Sequence, residues 1–452
     1  MDRRKLLENP YRPGAGHKPP HVAGRNGEKD YFLRLLRQGF ASDNILITGL
    51  RGVGKTVLLD QMRTIAQQEG WLWIGNDLSE SSSLSEERLA LRIITDLSEA
   101  FSRVLASEDN AKGQENAKGQ SREQSEQDAM PYAFDALRAM YERSPGLPSD
   151  KLRSIISRLG SLVKRARVSG LIFAYDEAQC LSDHAARNEY PMSVLIETVA
   201  ALQRKDSVAP CLLVLSGLPQ VFDSLTETRT YTERMFRVMR LERLSRDETY
   251  AAIATPLKPM MPPLTISNEL IDKVVDMTGG YPYLIQFFGK ELVDQLLANG
   301  GILAPANFPS SDALDRLDAG LFSSRWNKTT EKQREVLKLI AHRDDAFSAD
   351  FSAHEISELG ADIAGISNAQ VSQALQALCE RGLIYRTRHG RYAFTVPMSE
   401  VMIRRRMRSE DDVEQSWMAQ PAPPVSHTLN RSDQAPPPPM AAKKSRGWRI
   451  FR

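Results

Sequence analysis

The sequence predicts an α/β fold: a parallel sheet flanked by helices, then an all-helical unit, then three helices closed by a β-hairpin. Three observations carry this. Short apolar runs at residues 44–48, 71–74, 170–175 and 211–215 alternate with stretches of helical periodicity, as strands joined by helical crossovers do. Near residue 245 the strand pattern stops, and helical patterns follow at 247–254, 268–278 and 283–299. From Thr330 onward three amphipathic helical stretches lead to an alternating segment, 383–396, folded about His389 and Gly390.

Taken in order, residues 1–27 form an extended lead-in, because Pro10, Pro13, Gly14, Gly16, Pro19, Pro20, Gly24 and Gly27 are too dense for a regular element. Residues 28–245 hold the sheet, with a helix marked by Phe32, Leu33, Leu35 and Leu36 ahead of the first strand. Inside this core, residues 107–130 read as a disordered insertion: tandem Asn-Ala-Lys-Gly-Gln units lack the apolar side chains that offset ordering entropy. Residues 246–329 form a helical lid. Residues 330–408 carry helices over 331–341, 352–359 and 367–381, the last capped by Ser367 and stopped by Gly382; with the hairpin they predict a winged helix. Residues 409–452, with Pro421, Pro423, Pro424 and the run 436–439, read as a disordered tail with a basic, aromatic end.

Composition narrows the function classes. Lys plus Arg number 59 against 57 Asp plus Glu, a net charge of +2, so any nucleic-acid contact has to come from a local patch. Cys180, Cys211 and Cys379 lie far apart in apolar surroundings, which excludes a disulfide framework and a Cys-x-x-Cys zinc site and fits a reducing compartment. Neither an apolar leader nor about 18 consecutive apolar residues occurs, so no membrane span and a cytoplasmic location are expected.

Two motifs carry chemistry. Gly49-Leu50-Arg51-Gly52-Val53-Gly54-Lys55-Thr56 fits the phosphate-loop pattern G-x-x-x-x-G-K-[ST] between an apolar run and a helical one. Its glycines let backbone amides face phosphate oxygens at a helix N-terminus, with Val57 in the first helical turn; Lys55 brings a point charge to the terminal phosphates, and the Thr56 hydroxyl is a magnesium ligand. The apolar run 170–175 ends in Asp176-Glu177, a Walker B pattern: Asp176 holds magnesium, directly or through water, and Glu177 is the general base that polarises the attacking water. Ser216, at the end of another apolar run, is a candidate contact to the γ-phosphate or the lytic water. Arg234, ahead of the last strand, is a candidate arginine finger toward a neighbouring copy.

Together with Asn9-Pro10-Tyr11-Arg12-Pro13-Gly14, Val22-Ala23-Gly24-Arg25 and Thr278-Gly279-Gly280-Tyr281-Pro282, these motifs resemble P-loop ATPases with AAA+ and STAND features, in particular bacterial relatives of the origin-recognition (Orc/Cdc6-type) ATPases, over residues 9–400. The resemblance implies an AAA+/ASCE core with ATP and Mg2+ as ligands. It also implies base-side contacts from Val22, Gly24 and Arg25, and a lid motif that brings Pro282 to the nucleotide. One position departs: many AAA+ proteins follow that proline with arginine, whereas this chain has Tyr283, which points to a slow or partner-stimulated ATPase. Arg386, Arg388, His389 and Arg391 make the expected wing basic, so duplex DNA is an expected partner in a DNA-linked assembly. The alternative is a slow signalling or defence switch whose winged helix takes a protein partner, with homo-oligomers compatible with either. A helicase or transporter is disfavoured, since neither a second motor domain nor a membrane span is legible.

Overall fold

The computed structural model describes residues 9–14, 16–39, 43–115, 132–165, 167–204, 209–228, 232–260, 266–343, 350–363, 366–388, 390–396 and 398–418. Five parallel strands form the main sheet: β1 (Asn44–Thr48), β2 (Trp71–Ile74), β3 (Gly170–Tyr175), β4 (Cys211–Gly217) and β5 (Phe236–Arg240), in the order β2-β3-β4-β1-β5. Every residue of β1 to β4 is buried, which is why these strands read as unbroken apolar runs: helices cover both faces. On one face α1 (Asn26–Arg37) and α2 (Lys55–Gln68) set Phe32, Leu58 and Met62 against Ile45, Ile172 and Val214. On the other, α3 (Glu86–Glu115), α4 (Phe134–Arg143), α5 (Pro148–Arg165) and α6 (Pro191–Gln203) cover Leu46, Phe173 and Leu213. The strand order places β4 between β1 and β3. Their carboxyl ends, where ligands bind in open parallel sheets, therefore lie side by side.

A helix α7 (Gln220–Thr228) leads back toward β5. The following helices are α8 (Arg246–Ala254), α9 (Asn268–Thr278), α10 (Pro282–Ala298) and α11 (Ser311–Leu317). Their ends have local causes: Ser245 and Glu248 form a capping box at α8, Ser267 caps α9, and proline opens α10. A π-helical turn, Asp318–Phe322, and a short turn, Ser323–Trp326, then join α12 (Glu331–His342). Next come β6 (Phe351–Ser352), α13 (Ala353–Ile363), α14 (Asn368–Glu380), β7 (Ile384–Arg388) and β8 (Arg391–Phe394). Ser367 caps α14 as expected. The small antiparallel sheet has the order β6-β8-β7, so β6 adds a strand that the sequence did not disclose, being two residues long.

Two expectations need correction. Helix α3 continues to Glu115, so the first part of the expected disordered insertion is helical: its Ala, Glu, Lys and Gln are good helix formers appended to an amphipathic helix already nucleated. Likewise α15 (Ser399–Met418) carries helix past residue 409 into the expected tail. Residues 116–131 and 419–452 lie outside the described residues. The chain divides into two compact units, Met1–Ile403 and Arg404–Arg452; of the second, 404–418 are described, as the remainder of α15. Among the described residues no helix is long and apolar enough to cross a membrane.

Candidate active site

The chain leaves β1 at Thr48, wraps through residues 49–54 and enters α2 at Lys55. Gly54 caps α2 at φ 95°, a left-handed conformation that costs a residue without Cβ little. The Lys55 ammonium is 9% exposed and donates to the carbonyls of Gly49 at 2.9 Å and Leu50 at 3.0 Å. Gly49 and Leu50 thus hold the lysine and do not line the cavity described below. Burial lowers the Lys55 pKa, and the charges of Asp176 and Glu177 oppose that shift.

At the end of β3, Asp176 is 2% exposed and fixed from two sides. Its Oδ2 accepts from Thr56 Oγ1 at 2.5 Å, and its Oδ1 accepts from the Glu177 amide at 2.9 Å. Glu177 then adopts φ 54°, a left-handed backbone that costs a non-glycine residue roughly 1–2 kcal/mol. This turn separates the two carboxylates: Asp176 stays under the loop, while Glu177 is exposed on the cavity wall.

The cavity measures ≈ 590 Å³. Its floor is the phosphate loop from Arg51 through Gly52, Val53, Gly54, Lys55 and Thr56 to Val57, and Val22 and Arg25 of the lead-in join Pro282 of α10 on the opposite side. Arg25 is tied by its guanidinium to the carbonyls of Glu242 and, at 3.5 Å, Val53. Gly24 faces away: a Cβ there would lie 2.6 Å from Glu248 Oε1. The start of α10 reaches the loop directly, as the Tyr281 hydroxyl donates to the Arg51 carbonyl and the Tyr283 amide to the Gly52 carbonyl, the latter at 3.1 Å. The hydroxyl of Thr56 beside the carboxylate of Asp176 suits magnesium, whose shell phosphate oxygens and water would complete. Around them the carboxyls of Asp60 and Asp77 are held above their ordinary pKa, first by loss of water; the negative charge of Asp176 adds to this at both. A divalent cation relieves that repulsion.

Residues 21–221 match the family model for the AAA ATPase domain. This segment is an AAA ATPase domain. Residues 319–401 match a second model, described as a domain of unknown function, DUF8462. No curated protein matches the chain. Among solved structures, the ORC2 protein of Aeropyrum pernix in ADPNP–ADP complexes is 14% identical, with 90% of this chain and 98% of that one covered at a TM-score of 0.53. The Walker-type ATPase PABY2304 of Pyrococcus abyssi is 17% identical, with coverage of 86% and 97% and a TM-score of 0.55. These likenesses show a shared fold, that of the P-loop AAA+ ATPases, which extends beyond the AAA ATPase domain itself.

Besides Gly24, Gly49 and Leu50, the structure places Ser216 away from the cavity. Ser216 is fully buried and its Oγ has no hydrogen-bond partner among the described residues, so it does not open on the cavity. The residue that links the end of β4 to Glu177 is Gln179, whose amide donates to Glu177 Oε2 while its Oε1 accepts from the Leu218 amide at 3.0 Å. Sequence reading missed Gln179 because glutamine beside a Walker B pair has no motif status; its role exists only once β3 and β4 are neighbours. Arg234 is exposed on the turn Thr232–Met235, outside the cavity lining.

In the hairpin, Arg391 departs from expectation. Its guanidinium is paired with Asp350 at 2.7 Å and Glu355 at 3.2 Å, which raises its pKa through the Asp350 hydrogen bond, so it is not a free cation for phosphate. Arg386 is exposed, 5.8 Å from the Tyr392 ring centroid. Arg388 stands opposite Arg391 in the backbone register of the hairpin, and His389 lies outside the described residues. The exposed face of α14 bears Asn368, Ser372, Gln373 and Gln376, whereas the Gln370 carbonyl is engaged by its cap Ser367.

Proposed function

We propose that the chain is a slow ATPase whose bound nucleotide sets the position of the lid, residues 246–329, and of a winged helix, residues 330–408, and through them acts on a DNA-linked assembly. The observation that carries this reading is the shared cavity: the phosphate loop, Pro282 of the lid and Val396 beyond the hairpin all line it. ATP would lay its phosphates along the amides that open α2, with Lys55 at the terminal end. Magnesium, when bound, supplies charge neutralisation there, and Thr56 and Asp176 are the residues that would hold it. Glu177 would take the proton of the attacking water. That the Aeropyrum pernix protein of this fold is described in ADPNP–ADP complexes supports a nucleotide as the ligand. Slow turnover is supported by Tyr283, which lacks fixed charge, and by Gln179, which occupies the Glu177 carboxylate. The test is ATP titration of the parent and Lys55→Ala: micromolar binding by the parent and a loss of at least 30-fold in the variant, about 2 kcal/mol, are expected. Equal affinities would remove the phosphate loop from the reading.

A second reading, a protein partner at the winged helix, is favoured by the neutralised Arg391. ATP-dependent sizing with and without duplex DNA separates the two and also tests for a homo-oligomer joined through Arg234.

A further inference from the structure

The turn Ser323–Trp326 lies at the end of residues 246–329, ahead of α12, and it brings a cation to the cavity that no motif announces. Leu321 and Arg325, four residues apart on one helical face, both line the cavity with the phosphate loop and Glu177. Phe322 and Trp326, on the adjacent face, are buried with ring centroids 5.5 Å apart, and Arg334 of α12 stacks over Trp326 at 5.5 Å. The aromatic pair therefore anchors the turn and fixes which way Arg325 points.

We propose that Arg325 is a nucleotide-binding residue that contacts the terminal phosphates of ATP from the C-terminal side of the cavity, so that the γ-phosphate is read by the segment leading into the last helical unit. Its buried Nη1 has no hydrogen-bond acceptor among the described residues. Its pKa is lowered by burial and by the like charge of Arg51 in the phosphate loop, with Tyr281 opposing. A guanidinium half out of water and facing another cation is costly unless an anion joins it. The cavity it faces is the one that offers Lys55 and the N-terminus of α2 to phosphate, so a polyphosphate is the anion that fits. Arginine suits this position because its fork engages two phosphate oxygens at once.

This inference rests on the ATP site proposed above, and the experiment separates the two. ATP, ADP and AMP affinities, with magnesium, are measured for the parent, Arg325→Met and Arg325→Lys, alongside melting without nucleotide. Expected are at least a 10-fold loss of ATP affinity in Arg325→Met, a smaller loss for ADP, none for AMP, partial recovery in Arg325→Lys, and an unliganded melting temperature no lower than the parent's. A ratio of ATP to AMP affinity within twofold of the parent's in Arg325→Met overturns the proposal while leaving the ATP site standing, and so does an equal loss for all three nucleotides with a lowered melting temperature, which would make Arg325 a packing residue. A parent that binds no ATP overturns the site and the proposal together.

Discussion

In the proposed ATPase Glu177 would be an exposed base directly after a buried carboxylate that would hold the metal, and the left-handed turn at φ 54° is how adjacent residues would meet both demands. Glu177→Gln keeps the shape and removes the basicity, so turnover should fall about 10²- to 10⁴-fold in single-turnover assays, with ATP affinity within threefold of the parent's. Gln179 tests the restraint on that base. Gln179→Ala frees the Glu177 carboxylate and leaves the Leu218 amide without its acceptor, so basal turnover should rise severalfold while stability drops by about 1 kcal/mol in urea unfolding. A slower variant would show that Gln179 aims Glu177 and does not withhold it. The phosphate loop and the Asp176-Glu177 pair were legible because backbone chemistry forces their residue types into adjacent positions. Gln179 and Arg325 were not, because their partners are set by which strands and helices become neighbours.

The lead-in is the element whose behaviour the sequence described least. Among the described residues its backbone is irregular from Asn9 to Arg25, while Asn26 and Gly27 already belong to α1, and the irregular part is pinned to α8 and α10. Asn9 donates to the Lys290 carbonyl at 2.8 Å and to Asp294 at 2.7 Å, and the Arg12 amide donates to Gln286 at 3.3 Å. Tyr11 is 2% exposed, its hydroxyl donates to the Ile253 carbonyl, and its ring sits so close to α10 that a Cβ at Gly289 would lie 2.6 Å from it. Because residues between Arg12 and Ala23 line the cavity, these contacts tie that wall of it to α10. Tyr11→Ala should cost about 3–5 kcal/mol in chemical denaturation and weaken ATP binding, whereas Tyr11→Phe, which keeps the packing, should cost about 1 kcal/mol and leave affinity nearly unchanged. Equal effects of the two substitutions would assign the anchor to the hydroxyl alone. Helix ends were more legible: Ser245 with Glu248 and Ser367 with Gln370 are local capping signals, whereas the two-residue β6 pairs only with the distant β8 and leaves no local pattern.

For the molecule as a whole, a net charge of +2 means that no long-range field draws it to a polyanion, and the ion pairs of Arg391 reduce what the hairpin offers. The segment after the hairpin nonetheless reaches the candidate site, since Val396, just beyond β8, lines the cavity. If duplex DNA is the partner, its binding should therefore be weakly salt-dependent and nucleotide-sensitive. If Arg386 and Arg388 each neutralise one phosphate, a slope of log affinity against log salt near −2 is expected, at about −0.9 per phosphate neutralised. Arg386→Ala should make the slope shallower by about one on two unrelated duplexes. Arg391→Ala should leave the slope alone and lower the melting temperature, because Asp350 and Glu355 lose their shared cation. The measurement is a salt series with and without ATP for the parent and both variants, with ATP affinity as the folding control. A shallower slope in Arg391→Ala at unchanged melting temperature would mean that the Asp350–Arg391–Glu355 network opens to phosphate, and absence of duplex binding at every salt concentration would leave the protein-partner reading of this unit in its place.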